Sequence, residues 1–231
     1  MWPSNHDPRT YNMGLIGNGR LMALVSSRGE WEWACFPQMD SPALFSRLLD
    51  EEKGGRFSIL LDEPYMCRQS YREGTCILES HFTFDSGEFL VTDWAPYDQD
   101  HNPSILYRKL TPLKGRPKIG LHLAPKGQYG LKELAFVPSD QAFSYQSQEM
   151  PLRFYSSMDL PPSEHKDFLL EEPVFFALTW DHPINEGIED LYQNDFHRTQ
   201  IFWQSWTSTL RAPRFASKEV QRSALCLKLN Q

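Results

Sequence analysis

The side chains able to do chemistry are scattered along this sequence. Seven histidines, His6, His81, His101, His122, His165, His182 and His197, stand singly, with no His-Glu-x-x-His and no Cys/His ligand spacing, so no metal site is predicted. Ser26, Ser86 and Ser104 lie near turns, but none occupies the Gly-x-Ser-x-Gly elbow of a nucleophilic serine. Gly17-Asn18-Gly19 lacks both the third glycine of a dinucleotide fingerprint and the Gly-Lys-Ser/Thr of a phosphate loop. Asn-Gly between two apolar runs reads instead as a hairpin turn, and no cofactor is expected. Carboxylates are plentiful, among them Asp40, Asp93, Glu171, Glu172 and Asp181. Two of them held about 6.5–9.5 Å apart across a cleft would suit hydrolysis of a glycosidic bond with inversion. Spacing along the chain pairs no two of them, and each alone reads as a solvated surface charge or a helix cap.

The elements that would position such groups are mostly strands. From Met13 to about Trp180, short apolar or alternating runs are separated by Gly, Pro, Asp and Asn, the punctuation of an antiparallel all-β fold. "LMALVSS" and "EWEWACF" flank Arg28-Gly29, and "CILESHFTF" and "EFLVTDW" flank Asp85-Ser86-Gly87, two hairpin signals. "SILYRKL", "KIGLHLA" and "VFFALTW" supply further strands, and eight or more at this spacing predict a sandwich. Strict alternation places Trp31, Trp33 and Cys35 on one face, with both tryptophans in the core and sugar stacking as the lesser alternative. One short helix is expected after Ser41, with Pro42 at its first position and Phe45, Leu48 and Leu49 at i, i+3 and i+4. The stretch Met158 to Asp167 reads as a surface loop.

After Trp180 the period changes. Ile188, Leu191, Tyr192, Phe196, Phe202, Trp203, Trp206 and Leu210 recur at three- and four-residue steps, which predicts one helix over Glu186 to Leu210. A second helix follows Pro213, and its last apolar residues, Leu225, Leu227 and Leu229, have no later element to pack on and no C-terminal cap. Trp203, Trp206, Leu225 and Leu227 are therefore expected to leave an apolar patch open to water, as in a truncated protein.

Composition narrows the partners. The chain has 231 residues, 40% hydrophobic and 23% charged, with 30 acidic residues against 23 Lys and Arg for a net charge of −7. That balance argues against a phosphate-binding surface, so nucleic acid is not expected. No apolar run approaches the roughly 18 residues that span a bilayer, and "MWPSNHDPRTYNMG" is not a signal peptide. No membrane partner and a cytoplasmic location are expected, with Cys35, Cys67, Cys76 and Cys226 as thiols rather than disulfides.

Four segments carry a family resemblance. "LIGNGRLMALVSSRGEWEWACFPQMDSPALFSRLLDEEKGGRFSI" resembles the start of glycoside hydrolase family 15 proteins, the glucoamylase and trehalase-like enzymes. "LESHFTFDSGEFLVTDWAPY" is similar to their hairpin ending in Asp-Phe/Trp-x-Pro, "FWQSW" to the Trp-x-x-Trp of their interdomain helix, and "VQRSALCLKLNQ" to the first helix of their catalytic barrel. Asn18 stands where many members have Asp, and Gln38 where Arg is frequent, which leaves the substrate subtype open.

The resemblance implies a galactose-mutarotase-like antiparallel β-sandwich over residues 1–183, a linker helix over 184–212, and at 213–231 the start of a barrel of six α-hairpins. Both catalytic glutamates would belong to the missing part of that barrel, so no catalytic residue is assigned here. The sandwich would pack on its own catalytic barrel, and the intact enzyme would act on an α-glucoside or oligosaccharide. Arg20, Phe36 and Asp40, at the corner "FPQMDS" and the turn beside it, are the candidates for the rim of the substrate cleft, with a helix N-terminal charge as the competing role for Asp40. The alternative to such an accessory domain is a stand-alone carbohydrate-binding or protein-interaction sandwich.

Overall fold

The structure, a computed structural model, describes residues 12–97, 102–139, 142–145, 151–162, 164–185, 187–211 and 213–230. The chain runs through β1 (Met13–Gly17), β2 (Met22–Ser26), β3 (Trp31–Cys35), β4 (Ala43–Ser46), β5 (Arg56–Leu60), β6 (Tyr65–Tyr71), β7 (Leu78–Phe84), β8 (Gly87–Trp94) and β9 (Ile105–Gly115). It continues through β10 (Lys118–Ala124), β11 (Lys126–Gly127), β12 (Lys132–Glu133), β13 (Phe136–Ser139), β14 (Ala142–Tyr145), β15 (Leu152–Ser156), β16 (Glu164–Leu169) and β17 (Val174–Trp180), and ends with helices α1 (Ile188–Ser208) and α2 (Ser217–Lys228). One large sheet has the order β1-β2-β3-β5-β10-β16 with β4 added to β3, a second has the order β13-β14-β15-β17-β9-β8-β7-β6, and β11 and β12 pair as a separate two-stranded hairpin. Both hairpins anticipated at Arg28-Gly29 and Asp85-Ser86-Gly87 are present, with antiparallel pairing of β2 with β3 and of β7 with β8.

The two sheets meet through one apolar core. Val25, Trp31, Phe45 and Phe57 of the first sheet pack with Phe82, Phe89, Phe154 and Phe176 of the second, and edge-to-face contacts such as Trp31–Phe57 at 5.3 Å lock the layers together. This is a sandwich-like arrangement in which alternate residues of each strand face inward. Helix α1 covers the outer face of the second sheet, where Tyr192 packs among Trp94, Tyr107 and Phe175. Helix α2 closes over the C-terminal half of α1, burying Trp203, Leu225 and Leu229 around Cys76.

Four expectations from the sequence need correction. The helix predicted after Ser41 is the strand β4, paired with β3 as Trp33↔Ser46, Ala34↔Phe45 and Cys35↔Ala43. Pairing there buries Leu44 and Phe45 while Leu48 and Leu49 stay exposed, so the i, i+3, i+4 pattern had no buried face behind it. Trp33 does not share the core with Trp31. A β-bulge at Glu32, which has no partner between Leu24↔Trp33 and Val25↔Trp31, breaks the alternation. Trp31, Ala34 and Phe36 enter the core cluster and Trp33 does not. The stretch from Met158 is not all loop: Leu160 is fully buried and β16 pairs along β10. Lastly, Trp203 and Leu225 are 1% and 3% exposed, so of the expected apolar patch only Leu227 stands well out in water, at 70%.

Candidate functional site

The candidate residues converge on one end of the sandwich. The turn between β1 and β2 is made by Asn18, whose Oδ1 accepts from the backbone N–H of Arg20 at 3.2 Å and Leu21 at 3.1 Å, with Gly19 at a φ of 84° where a side chain would be strained. The same side chain, fully buried, turns its Nδ2 to the second sheet and donates to the carbonyls of Pro96 and Pro103, both at 2.8 Å. Asn-Gly is thus the expected turn and also a bolt between the layers. Two further straps hold the corner after β3: the Ser104 hydroxyl donates to Pro37 O at 2.8 Å, and the Met39 N–H to Arg20 O at 3.0 Å.

These bonds bring Arg20 and Asp40 together. With Gly19, Gln38 and Met39 they line a shallow depression of about 430 Å³, and both side chains are exposed. Phe36 lies elsewhere, 2% exposed within the core, where it supports the corner from below. Asp40 caps no helix, because β4 follows it; the Ser41 hydroxyl accepts from the Gln38 N–H at 3.2 Å.

A second, larger cleft of about 880 Å³ lies between α1 and the segments bordering β8 and β9, with Pro96, Tyr97, Pro103, Arg198, Phe202 and Trp206 among its lining. Tyr97 stacks on Phe202 at 3.7 Å with planes 10° apart, and its N–H donates to the Thr199 hydroxyl at 3.0 Å. Asp195 accepts from the Tyr107 hydroxyl at 2.9 Å. The sequence carried both walls, as "DWAPY" and "FWQSW", but nothing in their spacing revealed that they face each other. Because Pro96 and Pro103 line this cleft while bonded to Asn18, it and the Arg20–Asp40 depression share one end of the molecule.

The other carboxylates are otherwise engaged. Asp93 is sealed in the core with Arg108, Glu171 pairs with Arg116 at 2.7 Å on the surface, and Asp181 is exposed with its N–H bonded to Pro151 O. Glu30 and Glu32 lie side by side with Arg47, whose Nη1 is 2.9 Å from Glu30. Burial pushes the Glu32 carboxyl up to about 7, Arg47 opposes that, and the charge of Glu30 and a hydrogen bond with it push the same way as burial. A hydrogen-bonded pair has no room for a sugar between its members. Among the described residues no group of three His, Cys, Asp or Glu side chains could hold a metal ion, and all four cysteines are free thiols. His6, His101 and Glu186 lie outside the described residues. No described helix is long and apolar enough to cross a membrane.

Fold and site together define a mainly β, two-sheet domain with two helices laid over it, open at one end in two adjoining clefts. Residues 3–158 match the family described as trehalase-like, N-terminal, well over half of the chain, and the protein belongs to that family. It is 25% identical over 235 residues to a trehalase of Thermoplasma volcanium, a match covering 96% of this chain and 37% of that protein. It is 34% identical over 122 residues to trehalase 2 of Sulfolobus acidocaldarius, covering 52% of this chain and 19% of that protein. A trehalase of Mycolicibacterium smegmatis is 23% identical over 261 residues, covering 97% of this chain and 38% of its own length. The chain therefore spans little more than a third of the relatives it matches from end to end.

Proposed function

We propose that this protein is the non-catalytic N-terminal domain of a trehalase- or glucoamylase-like glycoside hydrolase, which in its intact form cleaves an α-glucosidic bond with inversion. Residues 1–183 serve as the sandwich, 184–212 as the linker helix and 213–231 as the first piece of the catalytic barrel. The end of the sandwich carrying both clefts docks on that barrel, and Arg20 and Asp40 reach the rim of its substrate cleft, with Phe36 holding their corner from beneath. The observation that carries this reading is the family match over residues 3–158, joined to a site in which no two of the carboxylates described above flank a cleft. General acid and general base must stand on opposite sides of the bond being broken, so both belong to the larger, catalytic part.

The experiment is an assay of the 231-residue chain for glucose release from trehalose, maltose and starch, beside a chimera in which it replaces the matched portion of the Thermoplasma volcanium trehalase. The chain alone should release nothing above background, and the chimera should hydrolyse sugar. Activity of the chain alone that disappears on replacing one of its own carboxylates would refute the assignment.

A further inference from the structure

The bulge at Glu32 does more than break an alternation. It leaves Trp33 half-buried and outside the core, on the face of the first sheet turned away from the second. A second bulge, at Leu44 between Ala34↔Phe45 and Cys35↔Ala43, lies on the other side of the same strand. Two irregularities thus bracket one aromatic residue, and bulges are a means of re-aiming a side chain. Facing Trp33 is Tyr129, 45% exposed, with ring centroids 6.1 Å apart and planes at 41°.

Tyr129 is held there against its backbone preference. It sits at the tip of the β11–β12 hairpin with φ of 59°, after Gln128 at 52°, and a left-handed backbone crowds the Cβ of any residue other than glycine. The strain is maintained by anchors: the Tyr129 N–H donates to Ala43 O at 3.1 Å, and Gly130, with φ of 88°, lies so near the backbone that a Cβ there would come 2.6 Å from Lys53 O. Sustained backbone strain that presents an exposed aromatic ring is a signature of a binding surface. Ala43, whose carbonyl accepts the Tyr129 N–H, pairs with Cys35 of the strand carrying Trp33 and follows closely on Asp40 in the chain. Through Ala43 the aromatic pair is tied to the same β3–β4 corner that carries Asp40.

We propose that Trp33 and Tyr129 form a twisted stacking platform for a gluco-disaccharide, with Arg20 and Asp40 beside it to hydrogen-bond the sugar hydroxyls. The C–H faces of pyranoses pack on aromatic rings, and two rings at an angle suit two sugar units that are not coplanar. Charged ends of opposite sign satisfy hydroxyls that both donate and accept. This inference rests on the saccharide-processing reading above and names the residues that read the sugar.

The test is saturation-transfer NMR with the 231-residue chain and trehalose or maltose as probes. The wild-type chain should transfer saturation to the sugar C–H protons. Trp33→Ala and Tyr129→Ala should each weaken binding about three- to ten-fold, with thermal unfolding unchanged for Tyr129→Ala and with Trp33→Phe retaining part of the affinity. If Trp33→Ala fails to fold, the exposed Tyr129 decides. No transfer with either sugar, or variants that bind like the wild type, overturns the proposal. A chain that binds neither sugar yet yields an active chimera refutes the platform and leaves the accessory-domain reading intact. Platform-dependent binding by a chain whose chimera is inactive does the reverse.

Discussion

Arg108 and Asp93 lie opposite each other on β9 and β8, both with fully buried side chains, and form a two-pronged ion pair at 2.8 and 2.9 Å in the middle of the sandwich. The Trp31 indole donates to the same carboxylate at 3.0 Å, and Arg108 also donates to the carbonyls of Gly29 and Phe57 on the far sheet. The guanidinium lies over the Trp31 and Phe57 rings at 4.9 and 4.6 Å. Two charges are tolerable here because their donors and acceptors are met from both layers.

Removing one member leaves the other charged and dry. Asp93→Ala should therefore lower stability by about 3–5 kcal/mol in chemical denaturation, with Arg108→Met losing a similar amount. The double variant Asp93→Leu/Arg108→Met should recover much of the loss, because no buried charge remains. Additive losses in that double-mutant cycle would show that the pair does not act as a unit.

Asn18 gives a second test, since its amide donates to two carbonyls and accepts two N–H groups. Asn18→Asp keeps the acceptor side and turns a carboxylate oxygen toward Pro96 O and Pro103 O. The loss should exceed about 2 kcal/mol, since two buried carbonyls lose their donor and a charge is added beside them. Thermal unfolding of wild type and Asn18→Asp in the same buffer is the check, and an unchanged melting temperature would contradict the bolt.

Glu32 makes stability pH-dependent in an unusual direction. In the folded chain its carboxyl keeps its proton up to about 7, whereas an unfolded Glu releases it near about 4.3. The folded state binds more protons between these values, so this contribution is full below the unfolded value and is lost as pH rises through about 7. Glu32→Gln should flatten that slope and raise the melting temperature at pH near 8 relative to wild type. An identical pH profile in the two proteins would contradict it.

Much of the fold was legible because it is local: turn residues between alternating runs placed the strands at β2–β3 and β7–β8, and the 3.6-residue period placed α1 to within two residues at each end. What escaped depends on partners distant in sequence. Ala43–Ser46 is a strand because β3 offers an edge to pair with, which no local pattern announces. Trp33 leaves the core because one unpaired residue shifts the period by one. The Arg20–Asp40 depression could be guessed from a corner motif, but the larger cleft needed Asn18 to bring two remote prolines to the same end.

The last prediction concerns α2, which the sequence alone marks as a dispensable, unburied end. Its inner face is closed instead: Leu225 and Leu229 pack with Trp203 and Cys76, and Arg222 donates to Thr75 O at 3.0 Å while its guanidinium lies 3.7 Å over the Tyr71 ring. Deleting everything after Arg211 would uncover Trp203 and Cys76 and leave the Thr75 carbonyl without its guanidinium partner, so the shortened chain should be less stable and more prone to associate. Leu225→Ala should cost about 2–5 kcal/mol if α2 unfolds only together with the sandwich. Leu227→Ala, at a side chain 70% exposed, should change stability by less than about 0.5 kcal/mol. The check is thermal unfolding and monomer fraction for all three beside the full chain; a shortened chain that is more soluble and equally stable would mean that α2 contributes nothing to the sandwich it covers.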